Sequence, residues 1–534
     1  MALRRTGFVG GTVWTGRGEP DADVVVVEGP LVLAVGHAAH ALLPTCDDVV
    51  DLAGGFLMPA FGDGHAHPMF AGLEEQGPVL AGLTTVEAVV ASVGRWAQAH
   101  PEATWVLGAG YDPAISRDGE FDARWLDRAV ADRPVALRAS DYHTVWCNSA
   151  ALRAAGIDAT TPDPRLGQVV RRPDGSPLGT LREWHAVDLV LAHAPAWSVA
   201  DQVAALRRAG ERLAGVGITW VQDAWVDPPM VDGYLAAARA GALRVRTNLA
   251  LRADPDRWRD QLPWFESVRA DVTALDHPLL TAGTVKIFAD GVVEAGTAAM
   301  LEPYVGTTDR GMAVWAADEL AAAAVALDAL GLQLHVHAIG DAAVRHALDA
   351  VEACRRVNGA RDRRPVLTHV QVVHPDDLRR FAELDVIANV ELLWAQSDPS
   401  QTVLTRPRLG PRRSAQQYPY ASLVRAGVHV SAGSDWPVTP HDPLEAIRVA
   451  VTRRTAEGTD DTWLPQECLD VEEALHAYTA EVAHQAFADD RRGRVRVGAV
   501  ADLVRLDADP RHVEPMAIGG ITVRGTWLAG TRVA

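Results

Sequence analysis

The feature that most limits the fold is a regular alternation of strand-like and helix-like segments from about residue 200 to residue 435. Seven apolar segments there are separated by stretches with helical periodicity or by longer loops, and an eighth apolar run ends at His67. The seven read GITWVQDAW, LRVRTNLALR, GTVKIFADG, LQLHVHAIG, PVLTHVQ, VIANVEL and VHVSAGSD. Repeated βα units build a parallel sheet, and eight of them close into a barrel. We therefore predict an α/β fold with a (β/α)8 TIM barrel.

Two regions do not follow this alternation. Both chain ends are rich in short strands and turns, as in DVVVVEGPLVLAVG (residues 23–36), which has the pattern of a hairpin. We predict a small β-sandwich domain built from both termini, residues 1–58 with 497–534, attached to a barrel of residues 59–496. Residues 70–200 lie between barrel strands one and two, so they are predicted to form an inserted subdomain over the barrel mouth.

Composition and charge indicate which partners and which compartment to expect. The formal net charge of −19 disfavours nucleic acid and anionic membranes as partners. The four cysteines form no CxxC pair, which is typical of a chain in a reducing compartment. No secretory signal and no apolar run long enough for a membrane span is recognisable. We expect a soluble cytoplasmic protein that acts on a small molecule.

The stretch MPAFGDGHAHP places His65 and His67 one residue apart. On a strand, residues two apart point the same way, so these imidazoles would converge as they do in zinc and other transition-metal sites. The motif alone is weak, because chance gives about 0.7 such pairs in a chain of this length with 19 histidines. It gains weight only if further ligands follow at other strand ends.

Further candidate ligands do occur at the carboxyl ends of later barrel strands. Strand four carries Lys286, strand five His335 and His337, strand six His369, and strand eight ends at Asp435. Each has an ordinary alternative: a core histidine, an outward-facing lysine, or an aspartate that caps the next helix. The side chains at this end of a barrel converge, which favours a metal site. His335 lies one layer deeper than His337, so a packed, hydrogen-bonded role is expected for it.

The chain resembles the amidohydrolase superfamily, in the amidohydrolase-3 group that includes N-substituted formamide deformylases. The resemblance covers nearly the whole chain and is carried by several motifs in order. They are GGFLMPAFGDGHAHP, DYHTVWCNSAAL, GITWVQDA, VKIFADG, HAIGDAAVRHAL, AGSDWPV and the C-terminal VEEALHAYTAEVAHQAF…GRVRVGAVADLVRLDADP.

The resemblance implies two divalent metal ions, assigned as Zn²⁺. His65, His67 and Asp435 would bind the first metal, and His337 and His369 the second.

The resemblance also implies that Lys286 bridges the two metals as a carbamate. An ammonium beside two dications is disfavoured, so its pKa falls and the neutral amine can capture CO2. A hydroxide shared by the metals would attack the substrate carbonyl. Asp435 would be the catalytic residue that takes its proton and passes it to the leaving amine.

The sequence departs from the family pattern in two places. Thr368 stands where relatives have a glutamate before the strand-six histidine, and Glu391 stands where they have a glutamine after strand seven. Neither change removes a metal ligand, but the strand-seven loop faces the substrate in relatives, so Glu391 is a candidate substrate contact. The other candidate substrate contacts lie in the insert: His143, Trp146 and Glu183.

Three functions are compatible with this pattern. The first is a metal-dependent hydrolase that cleaves a C–N bond of an amide, N-formyl or related small molecule, as a monomer or a homodimer. The second is a deaminase of the same superfamily with one metal ion, which would not need the carbamate on Lys286. The third is a metal-free binding or scaffold protein, although such relatives lose ligands and this chain keeps all six.

Overall fold

The computed structural model describes residues 3–458 and 461–534 and contains the predicted barrel. Eight parallel strands follow one another in chain order around a nearly closed sheet. Their bounds are β1 Phe61–Ala66, β2 Ile218–Val226, β3 Arg246–Arg252, β4 Leu280–Phe288, β5 Gln333–Ala338, β6 Val366–His369, β7 Ile387–Glu391 and β8 Val430–Gly433.

The barrel strands are buried on both faces. β2, β5 and β7 are buried at every residue, because the surrounding helices cover the outer face while side chains fill the interior. A polar side chain in such a strand has therefore been removed from water and requires a partner. This makes the few polar residues at the strand ends informative.

The seam between β8 and β1 is closed by hydrogen bonds of the loop that follows β8. The amide of Asp435 donates to the carbonyl of His65 at 2.7 Å. The fully buried Asp63 carboxylate accepts bonds from the Ser434 amide at 3.0 Å and the Ser434 hydroxyl at 2.5 Å. Burial raises the pKa of Asp63 to about 7, and these hydrogen bonds oppose the rise. The first and last strands of the barrel are thus joined directly beside the candidate ligands.

Helices surround the barrel on its outer side. The helix Ala317–Ala329 begins after Ala316, and Gly331 lies just beyond its C-terminal end with a φ of +76°. The helices from residue 199 onward are Val199–Gly215, Pro228–Arg239, Trp258–Leu275, Ala317–Ala329, Asp341–Asn358, Leu378–Glu383, Arg406–Ser414, Tyr420–Arg425, Pro443–Thr452, Val471–Tyr478 and Ala480–Gln485.

The two chain ends form two facing sheets, as predicted for a β-sandwich. One has the strand order Leu31–Val35, Val25–Glu28, Arg5–Val9, Asp48–Asp51, and the other Thr12–Val13, Phe56–Pro59, Leu503–Leu506, Val523–Leu528, Thr531–Arg532. Phe8 and Trp527 pack edge to face in the core that both sheets share, at 5.0 Å between ring centroids. Only Ala60 separates Phe56–Pro59 from β1. The domain limits at residues 58 and 497 stay a prediction, and residues 1, 2, 459 and 460 of those ranges lie outside the described part.

The predicted insert between β1 and β2 contains a separate five-stranded sheet. Its strand order is Gln168–Arg171, Pro177–Arg182, Thr144–Cys147, Val135–Ala139, Val106–Tyr111. The helices between β1 and β2 are Pro68–Glu74, Val86–Ala99, Ala123–Asp127, Ser149–Ala154 and Trp184–Leu191. A further short helix, His37–His40, lies in the N-terminal region. Among the described residues, no helix is long and apolar enough to cross a membrane.

A carboxylate with two imidazole partners joins the last barrel strand to the C-terminal helices. Oε2 of Glu481 lies 2.8 Å from Nδ1 of His429, just before β8, and its Oε1 lies 3.1 Å from Nε2 of His476. Burial alone would raise the pKa of Glu481, but the two histidines lower it to about 2. The same hydrogen bond raises the pKa of His429.

Replacing Glu481 by glutamine should destabilise the fold in a pH-dependent way. The Glu481 contribution is present above its unfolded pKa and is lost as the pH falls through about 2. The His429 contribution is present below its unfolded pKa and is lost as the pH rises through its raised folded value. At pH 5 to 6, Glu481→Gln should lower the free energy of unfolding by about 1–3 kcal/mol, measured by chemical denaturation. Glu352→Gln, at an exposed glutamate, is the control, and equal stability of Glu481→Gln and wild type at pH 6 would contradict this interpretation.

Candidate metal centre

A cavity of about 710 Å³ opens at the carboxyl ends of the barrel strands. It lies between the barrel mouth and the insert, which contributes Gly110, Asp141 and His143 to its wall. All six side chains predicted as metal ligands line this one cavity: His65, His67, Lys286, His337, His369 and Asp435.

Three of these residues form a compact donor cluster. One ligand atom each from His65, His369 and Asp435 lies within 4.8 Å of the other two, and all three residues are buried. Nε2 of His67 lies 2.9 Å from Oδ1 of Asp435, so His67 borders the same cluster. The ring of His337 lies 4.6 Å from that of His369. The structure thus brings the five predicted histidine and aspartate ligands together.

The imidazoles of His65, His337 and His369 are held neutral. Burial lowers the pKa of His65 and of His337 well below the usual value, and lowers the pKa of His369 to about 3. A neutral imidazole has one nitrogen lone pair free to bind a cation, whereas an imidazolium has none. These histidines are therefore in the protonation state that a metal ligand requires.

Lys286 lies fully buried within the cluster. Its Nζ is 3.3 Å from Nε2 of His65, and β4 places it opposite His335 of β5. Burial lowers the pKa of Lys286 to about 7, although the nearby carboxylates oppose this. The other 49 basic residues of the chain are arginines, so Lys286 is its only lysine. With this pKa, about half of the amine is neutral at pH 7, and the neutral amine is able to react as a nucleophile.

Asp435 has a role in the cavity rather than at a helix end. The helix that follows, Pro443–Thr452, is capped by Asp442, whose side chain accepts a bond from the Leu444 amide. Asp435 itself has a φ of +54°, a backbone strain that directs its carboxylate into the cavity mouth. The alternative of a helix-capping Asp435 is therefore wrong.

The donors at this site fit a bound cation. Oδ1 of Asp435 has no hydrogen-bond partner among the described residues, although Nε2 of His67 is near it. Burial alone would raise the pKa of Asp435, but its contact with His67 lowers it. A buried, ionised oxygen without a hydrogen bond is costly unless a cation binds it. Imidazole nitrogen with carboxylate oxygen is a donor set for zinc and neighbouring transition metals.

Neighbouring residues fix the orientation of the ligands. Nδ1 of His65 lies 2.7 Å from Nε2 of His335 and 2.9 Å from the Thr368 hydroxyl. These contacts leave Nε2 of His65 for the cavity and confirm the packed, hydrogen-bonded role expected for His335. Nδ1 of His369 lies 3.0 Å from Oε2 of Glu391, which orients the other nitrogen in the same way.

The two departures from the family pattern contact each other. The Thr368 hydroxyl donates to Oε1 of Glu391 at 3.3 Å. Glu391 is fully buried behind His369 and is absent from the cavity wall. In this structure it orients a ligand rather than contacting the cavity.

The insert places its three candidate residues differently. His143 lines the cavity, and its Nδ1 lies 2.9 Å from Oε2 of Glu183. Glu183 lies behind His143, has a φ of +64° and accepts a bond from the Thr297 hydroxyl. Trp146 is fully buried in the core of the insert, where its Nε1 donates to the Asp122 carbonyl at 3.1 Å. Because Trp146 does not reach the cavity, it is no longer a candidate substrate contact.

Asp290 is a structural residue of the site that the sequence analysis missed. It is fully buried after β4 and accepts hydrogen bonds from the amides of Ala299, Ile339 and Gly340 at 2.8–3.0 Å. Its Oδ1 is 3.6 Å from Nε2 of His337. The only signal was its position in FADG, directly after the strand that carries Lys286.

Comparisons with known proteins agree with this geometry. The model of a family described as "Amidohydrolase family" matches residues 48–534. The chain is 30% identical over 516 residues to "Protein LONG AFTER FAR-RED 3" of Arabidopsis thaliana, covering 93% of this chain and 86% of that one. It is 28% identical over 522 residues to "N-substituted formamide deformylase" of Arthrobacter pascens, covering 95% and 94%.

A solved structure shares the architecture. An uncharacterised metal-dependent hydrolase of Pyrococcus furiosus superposes with a TM-score of 0.72 at 26% identity, over 95% of this chain and all of that one. The match of the family model over most of the chain, together with the barrel and its strand-end ligands, shows that this chain belongs to the amidohydrolase family.

Proposed function

We propose that this protein hydrolyses a C–N bond of an amide, N-formyl or related small molecule at a centre of two divalent metal ions. The observation that carries the proposal is the set of six buried ligand side chains at one end of a single cavity. The name of the Arthrobacter relative, a deformylase of N-substituted formamides, supports this bond type. The metal-dependent hydrolase of Pyrococcus furiosus supports the need for a metal.

The predicted histidine and aspartate ligands divide into two groups, one for each metal ion. His65, His67 and Asp435 would hold one metal, and His337 and His369 the other. When bound, the metal ions would supply Lewis acidity for the substrate carbonyl and for the attacking water. The chemistry of the donor set supports zinc.

Lys286 would hold both ions as a carbamate. Its buried amine, with a pKa lowered to about 7, is able to attack CO2. A new N–C bond forms, the amine loses a proton, and the product is a carboxylate with two oxygens. This conversion changes a residue that repels cations into one that binds them.

Asp435 would transfer the proton during hydrolysis. A carboxylate oxygen accepts a proton from the attacking water and returns it to the leaving nitrogen, so that water is divided between an acid and an amine product. Its contact with His67 lowers its pKa against the effect of burial, which keeps it ionised before the reaction. His143 faces the same cavity and would contact the substrate, with Glu183 positioning its ring.

The cellular location and the oligomeric state are also part of this proposal. A cytoplasmic location is supported by the four cysteines, which are free thiols in the described chain. A homodimer stays a prediction.

The carbamate should be visible on the only lysine. Protein incubated with ¹³C-bicarbonate should show one side-chain carbamate resonance by NMR, which Lys286→Ala should lack. That variant should also lose metal and activity, with partial recovery when a short-chain carboxylate is added. A free Lys286 amine in fully active protein would contradict the proposal and favour the deaminase with one metal ion.

Asp435→Asn should slow turnover while much of the site persists. Asparagine keeps the shape and one oxygen donor but cannot accept the proton, so kcat should fall by about 10²–10⁴-fold with metal content only partly reduced. The measurement is amine release from N-formyl and N-acyl amines, with Asp442→Asn as a control because asparagine is an equally good helix cap. A kcat for Asp435→Asn within about threefold of wild type would refute the proton-transfer role.

A further inference from the structure

The cavity wall also contains four acidic residues that are not predicted metal ligands, and we call the part of the wall that they form the acidic half. Asp112 and Asp141 reach it from the insert, Glu294 from the loop after β4, and Asp398 from the segment after β7. Four separate loops therefore contribute acidic residues to one cavity wall, and Asp112, Asp141 and Asp398 also accept hydrogen bonds from nearby backbone amides. None of these residues is among the predicted metal ligands.

Little positive charge faces these carboxylates. His143 lies beside Asp141, and Glu183 raises the pKa of His143 against the effect of burial. Of the described residues that form the cavity wall, none is an arginine, although the chain has 49 of them, and Lys286 lies at the metal end. Arg406 is near Asp398 but is absent from the wall; its Nη2 donates to Ser397 at 2.6 Å and its guanidinium stacks on Trp463. The negative charge of this half is therefore incompletely balanced by the protein.

The carboxylates act on one another. Burial raises the pKa of Asp141 and of Asp398 to about 6, and the charge of Glu294 adds to the rise at both positions. Asp112 has the same effect on Asp398. Like charges in a partly buried space repel, and a bound cation would relieve that repulsion.

A buried hydrogen-bond acceptor in the same wall lacks a donor. Gln401 is only 3% exposed, lines the cavity, and its Oε1 has no hydrogen-bond partner among the described residues. Its Nε2 donates to the Tyr418 hydroxyl at 3.0 Å, which fixes the amide. An unsatisfied buried acceptor is costly, so this position favours a ligand that brings an N–H group.

Aromatic rings complete the wall. Tyr418, the hydrogen-bond partner of Gln401, lines the cavity, and Trp394 stacks on the predicted ligand His369 with an interplanar angle of 3°. Aromatic faces attract organic cations and accommodate their apolar stems. Carboxylates, an unpaired acceptor and aromatic rings together are the chemistry that recognises an ammonium or guanidinium group.

We propose that the substrate carries a cationic ammonium or guanidinium group, bound in the acidic half of the cavity while its C–N bond lies at the metal end. This proposal names the substrate class of the hydrolase and so rests on the proposed function. The binding step itself requires no hydrolysis. It can therefore be tested separately.

The binding test compares butylguanidinium with butylurea, which have nearly the same shape and differ by one charge. Calorimetry on the metal-loaded wild type should give at least about tenfold tighter binding of butylguanidinium, and the preference should weaken at high salt. In Glu294→Gln/Asp398→Asn the preference should fall to within about twofold. The matched control Glu352→Gln, at an exposed glutamate, should keep it.

Each single variant, Glu294→Gln and Asp398→Asn, is measured as well, so that the test survives if the double variant does not fold. Equal binding of the two probes to wild type, or an undiminished preference in the variants, would overturn the proposal. Calcium binding to this half without any preference for butylguanidinium would also overturn it, in favour of an inorganic cation.

Hydrolysis gives the second readout. N-formyl-1,4-diaminobutane, which is protonated, should have a higher kcat/KM than neutral N-formylpentylamine in wild type and a similar one in the variants. If butylguanidinium binds as expected but neither formamide is cleaved, the proposed bond type fails while cation recognition stands. If both are cleaved equally well, cation recognition fails while the hydrolase stands.

Discussion

The burial of ionisable groups at one barrel mouth is the constraint on which the rest of the structure depends. His65, His337 and His369 are neutral because they are buried, and Lys286 has a lowered pKa for the same reason. Such an arrangement is costly for a folded protein unless the groups have partners. A centre of metal ions would repay this cost, because it binds the lone pairs that burial leaves unprotonated.

Surrounding carboxylates and hydroxyls hold this arrangement in place. Asp63 ties β1 to the loop after β8, and Asp290 ties the loop after β4 to the end of β5. Thr368 and Glu391, at the two positions that depart from the family pattern, contact each other behind His369. The departures therefore affect how the predicted ligand His369 is oriented.

The barrel, and the convergence of the six predicted ligands on one cavity, were predictable because both follow simple periodic rules. Buried parallel strands are continuous apolar runs, so a histidine or lysine at their carboxyl end is conspicuous. Trp146 could not be placed in this way, since a tryptophan in a short buried strand has the same pattern whether it faces a core or a cavity. Asp290 was missed because it binds backbone amides of two loops, and such bonds depend on loop geometry that no periodicity records. The acidic half of the cavity was missed for a related reason, because its four carboxylates are distant in sequence and converge only in the fold.

The most direct test of a centre with two metal ions is a crystal structure of protein purified without chelator, with anomalous diffraction recorded at the zinc edge. We expect two anomalous peaks per chain, one beside His65, His67 and Asp435 and one beside His337 and His369, with carboxylate density on Lys286 between them. A single peak within the cluster of His65, His369 and Asp435, with a bare Lys286 amine in active protein, would contradict it.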